Sequence, residues 1–131
     1  MHAARPSAAA ARGAVCALLA LLLPAPALIP PTVPARPDAA LVEHGRRLVQ
    51  RYQCGACHRI PGVMAAQGEQ APSLERFARR SYIAGSLPND APTLQRWIVA
   101  PAALLPGATM PSLGVNEADA RAIAAYLHTL E

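Results

Sequence analysis

The segment "QRYQCGACHRIPGV", residues 50–63, holds two thiols three positions apart, Cys54 and Cys57, with the imidazole of His58 directly after the second. Three chemistries use side chains packed this tightly: a metal knuckle, a redox-active dithiol and the covalent attachment of haem. A structural zinc site needs four protein ligands, usually from two paired clusters. This chain has one cluster, with no second Cys pair and no His-x₃₋₅-His. A thioredoxin-like dithiol sits in a βαβ context, and no alternating strand pattern occurs along the chain. Haem attachment fits best. Each thiol adds to one vinyl group on the porphyrin edge, and the adjacent His58 is carried under the iron as an axial ligand.

A second axial position on the iron then has to be filled or left open. The candidates are His44, His128, Met64 and Met110. His44 lies on the helix entering the motif and His128 near the chain end, and both read as surface histidines. Met64 follows His58 too closely to cross to the other face of a haem. Met110 lies 52 residues after His58, between Pro106-Gly107 and Pro111. That restricted loop can hold a thioether on iron, whereas a lone Met without a C-x-x-C-H motif would read as core packing.

These side chains need elements to position them. Asp38 can cap a helix running to about residue 52. Leu41, Gly45, Leu48, Val49 and Tyr52 fall on one face of that helix, and Glu43, Arg46, Arg47, Gln50 and Arg51 on the other. A glycine inside an apolar stripe costs about 1 kcal/mol relative to alanine, which points to close approach by another helix. A polar loop is expected over 61–71, then a short helix from Ser73 carrying Leu74 and Phe77, and a turn at "SLPNDAP". Pro92 suits the first turn of a helix holding Leu94, Trp97 and Ile98, which must stop before Pro101. "PAALLPGATMP" reads as an irregular loop. Asn116 with Asp119 resembles a capping pair for a last helix, whose apolar face is Ala122, Ile123, Tyr126, Leu127 and Leu130. The domain is expected to be all-α, with short helices and long connections.

Upstream, residues 1–13 carry Arg5 and Arg12 and no acid, residues 14–23 are continuously apolar, and Ala25-Pro26-Ala27 gives a small-x-small pattern. This is the arrangement of a secretory signal peptide over 1–27. The alternative is an uncleaved N-terminal anchor giving membrane association, but the apolar stretch is shorter than the ~20 residues a spanning helix needs. Cys16 belongs to this segment and is read as inert, which leaves Cys54 and Cys57 as the thiols of the folded domain. "LIPPTVPARP", residues 28–37, has four prolines in ten and reads as an extended linker. The domain proper is then 38–131.

Composition supports a cofactor-filled core. Only Phe77, Trp97, Tyr52, Tyr82 and Tyr126 are aromatic in 131 residues, and a small domain rich in Ala, Leu and Pro buries little apolar surface for its size. Charge excludes a nucleic-acid surface. Residues 36–59 carry five Arg against two acids, and residues 60–131 five Arg against six acids, far from a dense basic face. The local excess over 36–59 could orient a protein partner.

From Leu41 to Leu130 the chain resembles a monohaem class I cytochrome c. The resemblance runs through "GRRLVQRYQCGACH", "APSLERFARR", "LQRWIVAPAALLPGATMPSLGV" and "DARAIAAYLHTL". It implies a cytochrome c-like all-α fold around one covalent haem c, with thioethers at Cys54 and Cys57 and with His58 and Met110 as axial ligands. Pro72 matches the proline whose carbonyl accepts a hydrogen bond from the proximal histidine, and Trp97 stands where an aromatic or apolar residue lines the haem. Gly45 and Tyr126 match the glycine–aromatic contact where first and last helices cross. Arg79 and Arg80 are candidates to pair with a propionate. Two departures, Ala71 for a frequent glycine and Ala108 for a frequent threonine, touch no ligand.

The expected function is electron transfer rather than catalysis, because two protein axial ligands let iron exchange an electron without exchanging a ligand. The resemblance implies a periplasmic carrier between a quinol-oxidising complex or dehydrogenase and a terminal oxidase. Two rivals stand beside it: a haem subunit of a redox enzyme complex, and a gas sensor whose Met110 is displaced.

Overall fold

The structure, a computed structural model, describes residues 38–131. The expected signal peptide or anchor over 1–27, the linker over 28–37 and Cys16 lie outside the described residues. Three longer helices carry the fold: α1 (Ala39–Arg51), α2 (Ala91–Val99) and, after the single turn α3 (Pro101–Leu104), α4 (Glu117–Leu127). Among the described residues no helix is long and apolar enough to cross a membrane.

Each long helix starts where its sequence supplies an acceptor for the first free N–H groups. Asp38 Oδ1 accepts from the Ala40 N–H (3.0 Å), Asp90 Oδ1 from Thr93 (2.8 Å) and Asn116 Oδ1 from Asp119 (2.9 Å). Pro92 occupies the first turn of α2 and Pro101 that of α3, where a missing N–H costs nothing. α2 ends at Val99, before Pro101, as the proline requires.

The first and last helices cross at Gly45. A Cβ there would lie 1.9 Å from the Ala122 carbonyl oxygen and 3.0 Å from Tyr126 Cβ, so only glycine lets the two backbones meet. Leu48 and Val49 of α1 and Ala122, Ile123, Tyr126 and Leu127 of α4 are buried at this crossing or beside it. Tyr52, at the end of α1, donates its hydroxyl to Asp119 Oδ2 (2.7 Å) and ties the same pair together at the other end.

Three local expectations are corrected. The short helix from Ser73 is instead a 3₁₀ turn over Phe77–Arg79, preceded by Arg76 in the left-handed region (φ 51°), a conformation that interrupts an α-helix. The stretch "SLPNDAP" is not all turn. Leu87–Pro88 forms β2, paired antiparallel with β1 (Tyr82–Ile83), around a reversal at Ala84 and Gly85, whose φ values are 49° and 79°. Positive φ at two central residues is what tight hairpin turns demand. Finally, the region after α2 is not wholly irregular, since Pro101 nucleates α3. The domain is nonetheless mainly helical, as expected. The polar-looking loop after the cysteines also sends Ile60, Val63 and Ala66 into the core.

Candidate haem site

The C-x-x-C-H turn is shaped by the end of α1 and by a loop laid across it. Gln53 takes a left-handed conformation (φ 54°) and turns the chain into a 3₁₀ turn over Cys54–Ala56. The His58 N–H closes it on the Cys54 carbonyl (3.0 Å). The loop then returns: the Gly68 N–H donates to the Gly55 carbonyl and the Ala71 N–H to the Cys57 carbonyl, both at 3.0 Å. Two glycines make this contact possible. A Cβ on Gly55 would meet Ala66 at 2.4 Å, and one on Gly68 would meet the Cys57 carbonyl carbon at 2.4 Å. The motif is therefore held from both sides by backbone.

Cys54 is half-buried and Cys57 exposed, and both are unpaired thiols. Burial pushes the Cys54 thiol above its ordinary pKa, so it rests protonated. The His58 ring is fixed by the Pro72 carbonyl, 2.8 Å from Nδ1. A carbonyl can only accept, so Nδ1 carries the proton and Nε2 keeps its lone pair. A histidine that binds a metal through one nitrogen is oriented in this way through the other.

Cys54, Cys57, His58 and Pro72 open on one cavity of about 680 Å³, a size suited to a cofactor. Its other walls are largely apolar and come from distant sequence: Val49, Phe77, Leu94, Trp97, Ile98 and Ile123 among them. Met110 lines the same cavity, with Thr109 and Pro111 on either side. Gly107, at φ 86°, and the Ala108 N–H on the Leu105 carbonyl (3.0 Å) shape the turn that carries it there. Met64 does not line the cavity and is 93 % exposed. His44 is exposed as expected, but His128 is half-buried, which corrects its reading as a surface histidine.

Of the two arginines considered for a propionate, Arg80 lines the cavity and Arg79 is exposed. The Arg80 guanidinium already donates to the carbonyls of Ser73 and Glu75 and lies 5.5 Å from the centre of the Phe77 ring. The clamp by Gly55 and Gly68 escaped sequence reading, although one glycine between the cysteines and one ten residues after the motif were its visible trace. Asn89, whose side chain joins the Phe77–Arg80 turn to His128, left no sequence signal at all.

The residues present fit a covalently held haem. Two thiols and an imidazole with a free Nε2 stand on one rim of an apolar cavity, and a thioether sits on its lining. A metal knuckle fits less well, since among the described residues no three His, Cys, Asp or Glu side chains gather as a metal-ion set.

Comparison with known proteins leads the same way. The family model for cytochrome c matches residues 42–131. Among curated proteins the chain is 34 % identical over 96 residues to a cytochrome c oxidase subunit 2 from Alkalihalophilus pseudofirmus, an alignment covering 72 % of this chain. It spans 27 % of that relative's length. No solved structure matches. With the C-x-x-C-H turn, the haem-sized cavity and a family match over most of its length, the chain belongs to the cytochrome c family, whose domains hold covalent haem c and transfer electrons.

Proposed function

We propose that this protein is an exported one-electron carrier acting on the periplasmic side of a membrane, between a quinol-oxidising complex or dehydrogenase and a terminal oxidase. The observation that carries the reading is the placement of Met110, and not Met64, on the cavity that His58 enters. Haem c, when bound, supplies reversible one-electron exchange at iron. Cys54 and Cys57 would hold the group through thioethers. His58 would ligate through Nε2, kept in register by Pro72, and Met110 on the cavity lining would supply the second protein ligand to iron. Leu94, Ile98 and Trp97 would exclude water from the ring.

His/Met ligation raises the reduction potential relative to two histidines. It also leaves no open coordination position for substrate chemistry, which favours a carrier over an enzyme or a gas sensor. The similarity to an oxidase subunit 2 supports a second reading, in which the domain serves as a haem-bearing part of an oxidase assembly.

The test is spectroscopic. The oxidised protein should show the weak near-infrared sulfur-to-iron charge-transfer band, and Met110→Ala should abolish it, lower the potential and open the reduced iron to carbon monoxide. Met64→Ala should change none of these. Free carbon monoxide binding by the unmodified protein would refute the carrier reading in favour of a sensor or enzyme. Purification from separated soluble and membrane fractions distinguishes the free carrier from the assembly subunit, and intact mass shows whether residues 1–27 are retained.

A further inference from the structure

Behind the cavity wall lies a polar junction that holding a haem does not require. The Asn89 side-chain amide donates through Nδ2 to the carbonyls of Phe77 (3.0 Å) and Arg80 (2.9 Å). Both acceptors are carbonyls, so the orientation of the amide is settled, and its Oδ1 is left to accept. His128 Nε2 lies 3.1 Å from that oxygen. The neutral imidazole therefore keeps its proton on Nε2 and its lone pair on Nδ1.

Among the described residues Nδ1 has no hydrogen bond to protein, and no buried side-chain nitrogen or oxygen lacks a partner. Nδ1 thus reaches solvent although the ring is half-buried. The ring stands beside Phe77, with centroids 6.0 Å apart. Phe77 and Leu127, the residue just before His128, both line the haem cavity. A base open to water on one side is one side chain away from the cofactor on the other.

We propose that His128 binds a proton when the domain accepts an electron and releases it on reoxidation, a property that rests on the haem reading above. The balance is one electron from the donor protein to the cofactor and, for a tenfold change in acid constant, at most about half a proton on average from water to Nδ1, both returned on oxidation. The cause is Coulombic: reduction removes one positive charge from the cavity, and an imidazolium beside it is then less repelled. Of the charged groups on the surrounding elements, Asp90 at the start of α2 acts on the imidazole; the others are Arg96 on α2, Arg76, Arg79 and Arg80 at the second 3₁₀ turn, and Glu131 after α4. Burial holds the imidazole below its ordinary value, and Asp90 partly opposes that. The exchange should therefore fall at or below the ordinary imidazole range near 6.5.

Unit charges about 10 Å apart at an effective dielectric near 20 change an acid constant by roughly tenfold, equivalent to about 59 mV in a one-electron potential. The experiment titrates the His128 ring protons by NMR in the oxidised and reduced holoprotein, and measures the potential by voltammetry from pH 4.5 to 8 with His128→Gln as comparison. The expected result is a midpoint roughly tenfold apart between redox states, higher when reduced, and a potential that falls with rising pH in the wild type but not in the variant. Equal midpoints in both states, or an unaltered pH dependence in His128→Gln, overturn the proposal. If the variant does not fold, the wild-type NMR midpoints still decide. Absence of any reversible one-electron wave would overturn the haem reading, and this proposal with it.

Discussion

Gly45→Ala tests whether the α1–α4 crossing is set by backbone contact. In an exposed helix the change should stabilise, because alanine outranks glycine by about 1 kcal/mol. Here the new Cβ would sit 1.9 Å from the Ala122 carbonyl oxygen and 2.5 Å from its carbon. Both obstacles are backbone, so no rotamer change relieves them. Restoring an ordinary contact of 3.4 Å means opening the crossing by roughly 1.5 Å, and gaps of 0.5–1 Å already forfeit a quarter to a half of each dispersion contact. Leu48, Val49, Ile123 and Tyr126 would share that loss. Overpacking of this kind costs about 1–3 kcal/mol, occasionally more, so the strain should outweigh the propensity gain. A net loss of about 2 kcal/mol lowers Tm by roughly 8–16 °C in a domain of this size. The assay is thermal unfolding of the holoprotein by circular dichroism. A Tm equal to or above that of the wild type would refute the reasoning, since it would mean the helices separate at no cost.

Three further outcomes are expected. The double change Cys54→Ala/Cys57→Ala should yield little folded protein, because the core is poor in aromatics and its centre is the cavity; native-like helicity and a cooperative melt without haem would contradict this. Asn116→Ala should cost about 1 kcal/mol through loss of the α4 cap, read as a lower denaturant midpoint with an unchanged slope. Because burial lowers the His128 pKa in the folded state, the unfolded chain binds more protons from about 6.5 downward. Stability should therefore fall as pH drops through that range, and urea midpoints at pH 7 and 5 should differ less in His128→Gln than in the wild type.

The C-x-x-C-H turn, the caps at Asp38 and Asn116, the prolines that start α2 and stop it, and the apolar faces of α1 and α4 were all legible along the chain. Each is a local rule: a side-chain acceptor three residues or fewer from an unpaired N–H, a missing donor, or a period of 3.6. The glycine in the apolar stripe of α1 was legible too, because it violated such a rule and so demanded a partner. What the chain could not display was decided by contacts between distant segments. The 3₁₀ turn at Phe77–Arg79 and the β1–β2 ribbon follow from left-handed residues at Arg76 and Ala84, types that carry no such preference by themselves. The choice between Met64 and Met110 could be argued from spacing, but their burial comes from which loop closes on the cavity. His128 shows the limit most clearly. Its neighbours along the chain mark a surface end, yet Asn89 and Phe77 arrive from elsewhere to fix its tautomer and stand beside its ring, and the burial that results lowers its basicity against the opposing charge of Asp90, since hydrogen-bond partners and dielectric surroundings exist only once the chain has closed on itself.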